Sequence, residues 1–169
     1  LDTELKDYAT FDPADPNQRA TTEGITSGGN FNTYTGPECP AGCAGIPVSV
    51  DGNSLPNAPE YSINLQAGYS WSMDNGMRID TMLMYYWQDE FYSRIFNTAN
   101  DTMESWDVWN ANAMLTSAND DWYAEVYVRN IKDDDNRTGQ YLQDAAVGLY
   151  TSYQLLEPRT YGVTLGYRF

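Results

Sequence analysis

The residues that could do chemistry are few, and their spacing suits very little of it. The chain has two cysteines and no histidine. Cys39 and Cys43 bracket Pro40-Ala41-Gly42. A redox Cys-x-x-Cys pair has a shorter spacer, and two thiolates without histidine are an incomplete ligand set for zinc. At a cell surface a disulfide is the natural fate of such a near pair. Closing so short a loop, it would stiffen a loop tip and add little to folding. Asp133, Asp134 and Asp135 stand in one run. Calcium loops alternate ligands with spacers and add a glycine, so a solvated acidic loop is expected here. Asp89 and Glu90 are adjacent, which in a strand puts them on opposite faces and rules out an acid–base pair. Without histidine there is no Ser-His triad and no histidine metal site. No phosphate-cradling or paired-carboxylate pattern appears either. The expectation is a protein that is not an enzyme and has neither cofactor nor metal.

Composition narrows the class further. Acidic residues outnumber basic ones 24 to 9, for a net charge of −15. Phosphate contacts need basic side chains, so nucleic acid is not an expected partner. Fourteen Tyr and five Trp are too many aromatics for a disordered acidic chain. The length of 169 residues suggests one domain. No apolar run reaches the 18 residues that a membrane helix needs. The mean hydropathy of −0.58 would ordinarily suggest a soluble protein. That inference fails for barrels, whose strands alternate between lipid and lumen so that windowed hydropathy averages away. The chain starts at Leu1 without a methionine, which is expected either of a processed protein or of a piece of a longer one.

The elements that would hold these residues are strands. In 60–72, Tyr61, Ile63, Leu65, Ala67, Tyr69 and Trp71 share one face, and Ser62, Asn64, Gln66, Gly68, Ser70 and Ser72 the other. This period of two does not fit a helix. Asn75-Gly76 then signals a hairpin into 77–90, where Arg78 and Asp80 mark the wet face. Further strands are expected over 105–116, where Val108 and Met114 weaken the polar face, over 122–130, and over 159–169. In the last, Tyr161, Val163, Leu165, Tyr167 and Phe169 alternate with small or polar residues. Weak alternation over 1–8 suggests the end of a sixth strand. The connections alternate in length: 9–58 is long, 73–76 short, 91–104 long, 117–121 short and 131–158 long.

A loop side and a turn side are what a membrane barrel shows. Tyr61, Tyr85 and Trp87 lie toward the loop ends, and Tyr69, Trp71, Trp122, Tyr167 and Phe169 toward the turn ends, as two interfacial girdles would. The expected fold is therefore all-β, a transmembrane antiparallel β-barrel with long extracellular loops at 9–58, 91–104 and 131–158. Arg78, Asp80, Glu125 and Arg129 would face the lumen and make structural ion pairs. Six strands cannot close, since the smallest membrane barrels have about eight and lipid does not tolerate open edges. The chain is thus expected to be the last part of a larger barrel.

The run from Pro59 to Phe169 resembles the C-terminal end of TonB-dependent outer-membrane receptors. The matching pieces are Asn57-Ala58-Pro59 before a Tyr-ended strand, Trp122 with Val128-Arg129-Asn130-Ile131 followed by acidic residues, and Glu157-Pro158-Arg159-Thr160-Tyr161-Gly162 leading to Gly166-Tyr167-Arg168-Phe169. The resemblance covers about two thirds of the chain and rests on the order and spacing of these pieces. It implies a plugged barrel of about 22 strands in the outer membrane of a Gram-negative cell, with Phe169 at the periplasmic side. It also implies that Tyr161, Val163, Leu165, Tyr167 and Phe169 form the C-terminal signal read by the barrel assembly machinery. The other implied partners are outer-membrane lipid, the TonB–ExbB–ExbD energy-transducing complex, engaged through an N-terminal part that would precede Leu1, and a small-molecule or oligosaccharide ligand.

The function this implies is active import of a scarce ligand, with no chemistry on it. Siderophore, vitamin, metal-complex and oligosaccharide receptors share this terminus. Tyr34, Tyr92, Phe96, Tyr141 and Tyr150, in the long connections, are candidate ligand contacts. Two alternatives remain open. One is a passive porin or other outer-membrane barrel, which would have no plug. The other is a soluble β-sandwich such as a carbohydrate-binding module, which would need a second apolar face where the strands place Ser, Asn and Gln.

Overall fold

A computed structural model describes residues 4–6, 9–10, 34–36, 39–43, 48–143 and 150–168, with only the backbone described for 9–10, 34–36 and 39–43. The described residues are all β, with no helix. Four small ribbons pair short strands: β1 (Ala9–Thr10) with β4 (Val48–Ser49), β2 (Tyr34–Gly36) with β3 (Cys39–Cys43), β7 (Phe91–Tyr92) with β8 (Thr102–Met103), and β11 (Arg137–Leu142) with β12 (Thr151–Leu155). The principal sheet has five strands: β5 (Ser62–Ser72), β6 (Arg78–Gln88), β9 (Trp106–Thr116), β10 (Trp122–Arg129) and β13 (Thr160–Tyr167). They lie side by side in chain order, every neighbour antiparallel.

The chain divides into two compact units. One comprises Leu1–Ala58, Phe91–Met103 and Gln140–Tyr153, and the other Pro59–Glu90, Glu104–Gly139 and Gln154–Phe169. The second unit holds the sheet. Its register keeps the two faces distinct. One row across the strands reads Trp71, Ile79, Leu115, Ala124, Leu165, and the next in the same face reads Tyr69, Thr81, Ala113, Val126, Val163. The rows between them carry Ser70, Asp80, Met114, Glu125 and Thr164. Such alternation follows from the two-residue period of the strand. The apolar face is nevertheless uncovered: Leu165 is 77 % and Val126 53 % exposed. The buried apolar side chains among the described residues are Val50, Phe91 and Met103, all in the first unit.

Both short turns are built on a left-handed residue. In the first, Gly76 N–H donates to Met73 O at 3.0 Å, Met73 N–H to Met77 O at 2.8 Å, and Gly76 has φ 84°. This is a tight turn followed by a left-handed glycine, a common hairpin form, and Asn75 Oδ1 accepts from Met77 N–H at 3.1 Å to hold it. In the second, Asp120 N–H donates to Ser117 O at 3.1 Å and Asp120 itself takes φ 56°. The turns touch: a Cβ on Gly76 would come within 2.9 Å of Ala118 Cβ.

Two expectations need correction. Residues 4–6 do not extend the sheet to a sixth strand. Glu4 makes an isolated antiparallel bridge with Ser54, and Leu5 exchanges backbone hydrogen bonds with Gly52 and Asn53 at 2.8 Å. The alternation there is too short and too polar to compete for an edge of the sheet. The long connections are also less irregular than their turn-rich composition suggests. Residues 91–103 form a closed hairpin, and 137–155 contain a two-stranded ribbon.

Candidate functional site

The polar face of the sheet is organised by hydrogen bonds across and along the strands. Ser70 stands opposite Asp80, and its hydroxyl donates to Asp80 Oδ1 at 2.5 Å. Arg78, two residues along the same face, donates to Asp80 Oδ2 at 2.8 Å. Ion pairing was expected of four residues and occurs for these two. Glu125 instead accepts from Asn112 Nδ2 at 2.8 Å, and the Arg129 guanidinium lies 5.3 Å from the centre of the Tyr127 ring. The strands set this outcome. Glu125 and Arg129 lie a whole strand apart from the Arg78–Asp80 pair, so the nearest partners are an amide and a ring. A recess of about 410 Å³ opens beside them, lined by Met84, Asn110, Asn112, Glu125, Arg129 and Thr164 among others.

Two tyrosines of β10 lie across glycines of β13 on this face. Tyr123 pairs with Gly166 and Tyr127 with Gly162. A Cβ on Gly166 would lie 2.1 Å from Tyr123 Cε1, and one on Gly162 would lie 2.6 Å from Tyr127 Oη. The glycines are therefore required here for close approach of a ring to backbone. Aromatic cover over a strand glycine is a known device for fixing register.

On the apolar face, aromatic side chains gather at both ends of the sheet. Tyr85 and Trp109 pair across β6 and β9 with centroids 4.5 Å apart. Tyr161, Val163, Leu165 and Tyr167 are all exposed on this face, and Tyr161 most so at 81 %. Phe169 lies outside the described residues. No family model, no curated protein and no solved structure matches the chain.

The connection after β10 is organised by Asn130, a residue to which sequence reasoning assigned no role. Its side chain is 3 % exposed and its φ is 49°. Nδ2 donates to Asp134 O at 2.8 Å and to Glu157 O at 2.9 Å, while Oδ1 accepts from Asp134 N–H at 3.2 Å. Its own N–H donates to Asn110 Oδ1 at 2.9 Å. One side chain thus closes the 130–134 turn and ties it to the segment that enters β13. The signal was present in the sequence, since asparagine is the side chain that best tolerates a left-handed backbone after glycine. The acidic run is engaged piecemeal. Asp133 accepts from Arg159 N–H at 2.8 Å and pairs with its guanidinium at 3.4 Å. Among the described residues no three His, Cys, Asp or Glu side chains converge on a point that could hold a metal. Lys132 donates twice to Asp107, at 2.6 and 2.8 Å, and these bonds hold its ammonium above its ordinary pKa.

In the first unit the hairpin 91–103 is set by a buried ion pair. Asp101 is 0 % exposed. Arg94 Nε and Nη2 both reach its Oδ1 at 2.6 Å, and Thr98 supplies N–H at 3.1 Å and Oγ1 at 2.8 Å to Oδ2. A buried carboxylate persists only when its lone pairs are satisfied in this way. The hairpin is tied to 48–58 by Asn53 Nδ2 on Ile95 O and Asn57 N–H on Tyr92 O, both 2.8 Å.

The candidate ligand contacts fare differently. Tyr92 is half-buried in β7, and Phe96 sits 5.3 Å from the Arg94 guanidinium, so both serve the hairpin itself. Tyr141 and Tyr150 are exposed, at 64 % and 57 %. Tyr34 lies on β2, opposite Cys43 of β3, with backbone alone described. The side chains of Cys39 and Cys43, and hence the expected disulfide, lie outside the described residues.

Proposed function

We propose that the chain is the C-terminal part of a transmembrane antiparallel β-barrel, a TonB-dependent receptor of the Gram-negative outer membrane that imports a scarce ligand. The observation that carries this reading is the uncovered apolar face of the five-stranded sheet, backed by a mixed face on which Ser70, Arg78, Asp80, Asn112 and Glu125 stand. A soluble sandwich buries such a face against a second sheet, and apolar surface of this extent left in water marks a partner or a membrane. The dimensions suit lipid. From Tyr61 to Trp71 is ten strand steps, or about 33 Å at ~3.3 Å per residue. With the strand tilt of ~35–45° usual in barrels this rises about 25 Å, the height of an outer-membrane apolar band. Tyr61, Tyr85, Trp87 and Trp109 would then form one interfacial girdle, and Trp71, Trp122 and Tyr167 the other. Arg78, Asp80, Glu125 and Arg129 would face the lumen, against a plug.

The receptor and porin readings share the barrel and differ in the plug. The test uses the full-length protein. It is expected to float with liposomes after a urea wash and to give no steady conductance in a planar bilayer, because the lumen is filled. Partition into the aqueous phase after the wash would sink the barrel. Steady open-channel conductance would leave the barrel standing and replace the receptor with a porin.

A further inference from the structure

We infer that one face of the β11–β12 ribbon is a binding surface for a neutral saccharide, with Tyr141 and Tyr150 as its stacking platforms. This rests on the receptor reading above and names the ligand class. Gln143 N–H donates to Tyr150 O at 2.9 Å, which sets these two residues opposite each other. Gln143 Nε2 donates to Ser152 Oγ at 2.8 Å, which places those side chains on one face. Tyr141, two residues before Gln143, shares that face by the pleat. The two tyrosines are therefore diagonal neighbours, about 7–8 Å apart. Neither ring is paired with another ring or a cation, and neither hydroxyl has a hydrogen-bond partner among the described residues. Tyr153, on the opposite face, does have a partner.

The chemistry of this face is selective. Tyr141, Gln143, Tyr150 and Ser152 offer two aromatic planes, an amide and a hydroxyl, and no charge. Aromatic planes flanked by uncharged hydrogen-bonding groups match a sugar, whose ring presents C–H groups on its faces and hydroxyls on its edge. A trianionic ferric chelate would call for a cluster of cations, and the pleat puts a single one on this face of β11, Arg137, four residues from Tyr141 at the far end of the strand. The platform is also held before any ligand arrives. Gln140, which points to the other face, donates to Asn100 O at 2.8 Å and so anchors the ribbon to the 91–103 hairpin, itself fixed by Arg94 and Asp101. Fixing the surface in advance lowers the ordering cost of binding.

The test titrates the full-length protein in detergent micelles, by calorimetry, with maltohexaose, cellohexaose, xylohexaose and mannohexaose, and separately with a ferric tris-catecholate. At least one hexasaccharide is expected to bind. Tyr141→Ala and Tyr150→Ala are each expected to weaken it about three- to ten-fold, the scale of one lost aromatic contact. Tyr141→Phe and Tyr150→Phe keep the ring and are expected to stay within about two-fold. The inference is overturned if no hexasaccharide binds, if binding survives both alanine substitutions unchanged, or if it is the chelate whose binding they weaken. Liposome flotation of the same preparation scores the receptor reading separately. Insertion without saccharide binding overturns this inference alone, and failure to insert overturns the receptor reading whatever the titration gives.

Discussion

Replacing Asn130 separates the two tasks that this residue performs. Its side chain makes three hydrogen bonds at a site 3 % exposed, and its backbone sits at φ 49°. Each bond contributes about 0.5–1.5 kcal/mol net, so the three together contribute roughly 2–4 kcal/mol. Asn130→Gly removes the bonds and leaves the backbone at ease, and should cost about that amount. Asn130→Ala removes the same bonds and, unlike glycine, keeps a Cβ on a left-handed residue without the polar side chain that lets asparagine tolerate it, for about 1–2 kcal/mol more than Asn130→Gly. Asn130→Asp keeps the acceptor for Asp134 N–H but turns a carboxylate toward the carbonyls of Asp134 and Glu157, so it should not rescue. The assay is urea unfolding of the full-length protein in detergent micelles, followed by tryptophan fluorescence, with limited proteolysis across 130–158 as the local readout. A cost below about 0.5 kcal/mol for Asn130→Gly would refute the claim that Asn130 holds the connection. Equal costs for Gly and Ala would refute the part assigned to the backbone.

Five other substitutions, at three places, probe the rest of the molecule. Gly166→Ala would put a Cβ 2.1 Å from Tyr123 Cε1, and should cost about 1–3 kcal/mol as the ring is forced aside. Tyr123→Ala in the same chain should recover part of that, a coupling that a double-mutant unfolding cycle measures. Arg94→Ala strands the buried Asp101 carboxylate and should cost roughly 3–5 kcal/mol, read as faster amide exchange confined to 91–103. If exchange there is unchanged, the ion pair does not hold the hairpin. Leu83→Arg and Met82→Arg are neighbours on opposite faces, both exposed. If the apolar face meets lipid, refolding into liposomes should lose about 2–4 kcal/mol for Leu83→Arg and little for Met82→Arg. Equal losses would contradict the assignment of faces.

The sheet was legible in the sequence because its signal is periodic and local. In 60–72 six residues on each face follow the alternation, and the structure places Ser62–Ser72 as one unbroken strand. Even Val108 and Met114, the imperfections in 105–116, fall on the polar face, where the register sets them beside Tyr86 and Asp80. What was not legible depends on distance along the chain or on backbone angle. Arg94 and Asp101 are seven residues apart in a segment rich in turn formers, and nothing in composition says that they meet. The contribution of Asn130 depends on a left-handed φ that brings its amide to Glu157, twenty-seven residues on. Glu125 and Arg129 looked like pairing partners because charges on a polar face are expected to pair, yet side-chain reach across the strands gave them an amide and a ring.

The rings over Gly162 and Gly166 have a consequence for how the last strand finds its place. The pleat itself rejects any slip by an odd number of residues, since that would turn Tyr161, Val163, Leu165 and Tyr167 to the polar side. It cannot reject a slip of two, which keeps every side chain on its own face. The tyrosines can. In the observed register both rings meet glycine. A slip of two in either direction sets Tyr123 against Arg168 or Thr164, and Tyr127 against Thr164 or Thr160. A slip of four toward the start of β13 sets Tyr123 on Gly162 but Tyr127 against Pro158. Two side chains four residues apart on β10 and two missing side chains four residues apart on β13 thus act as a key of fixed spacing. They admit β13 in one position where hydrophobic pattern alone would allow several.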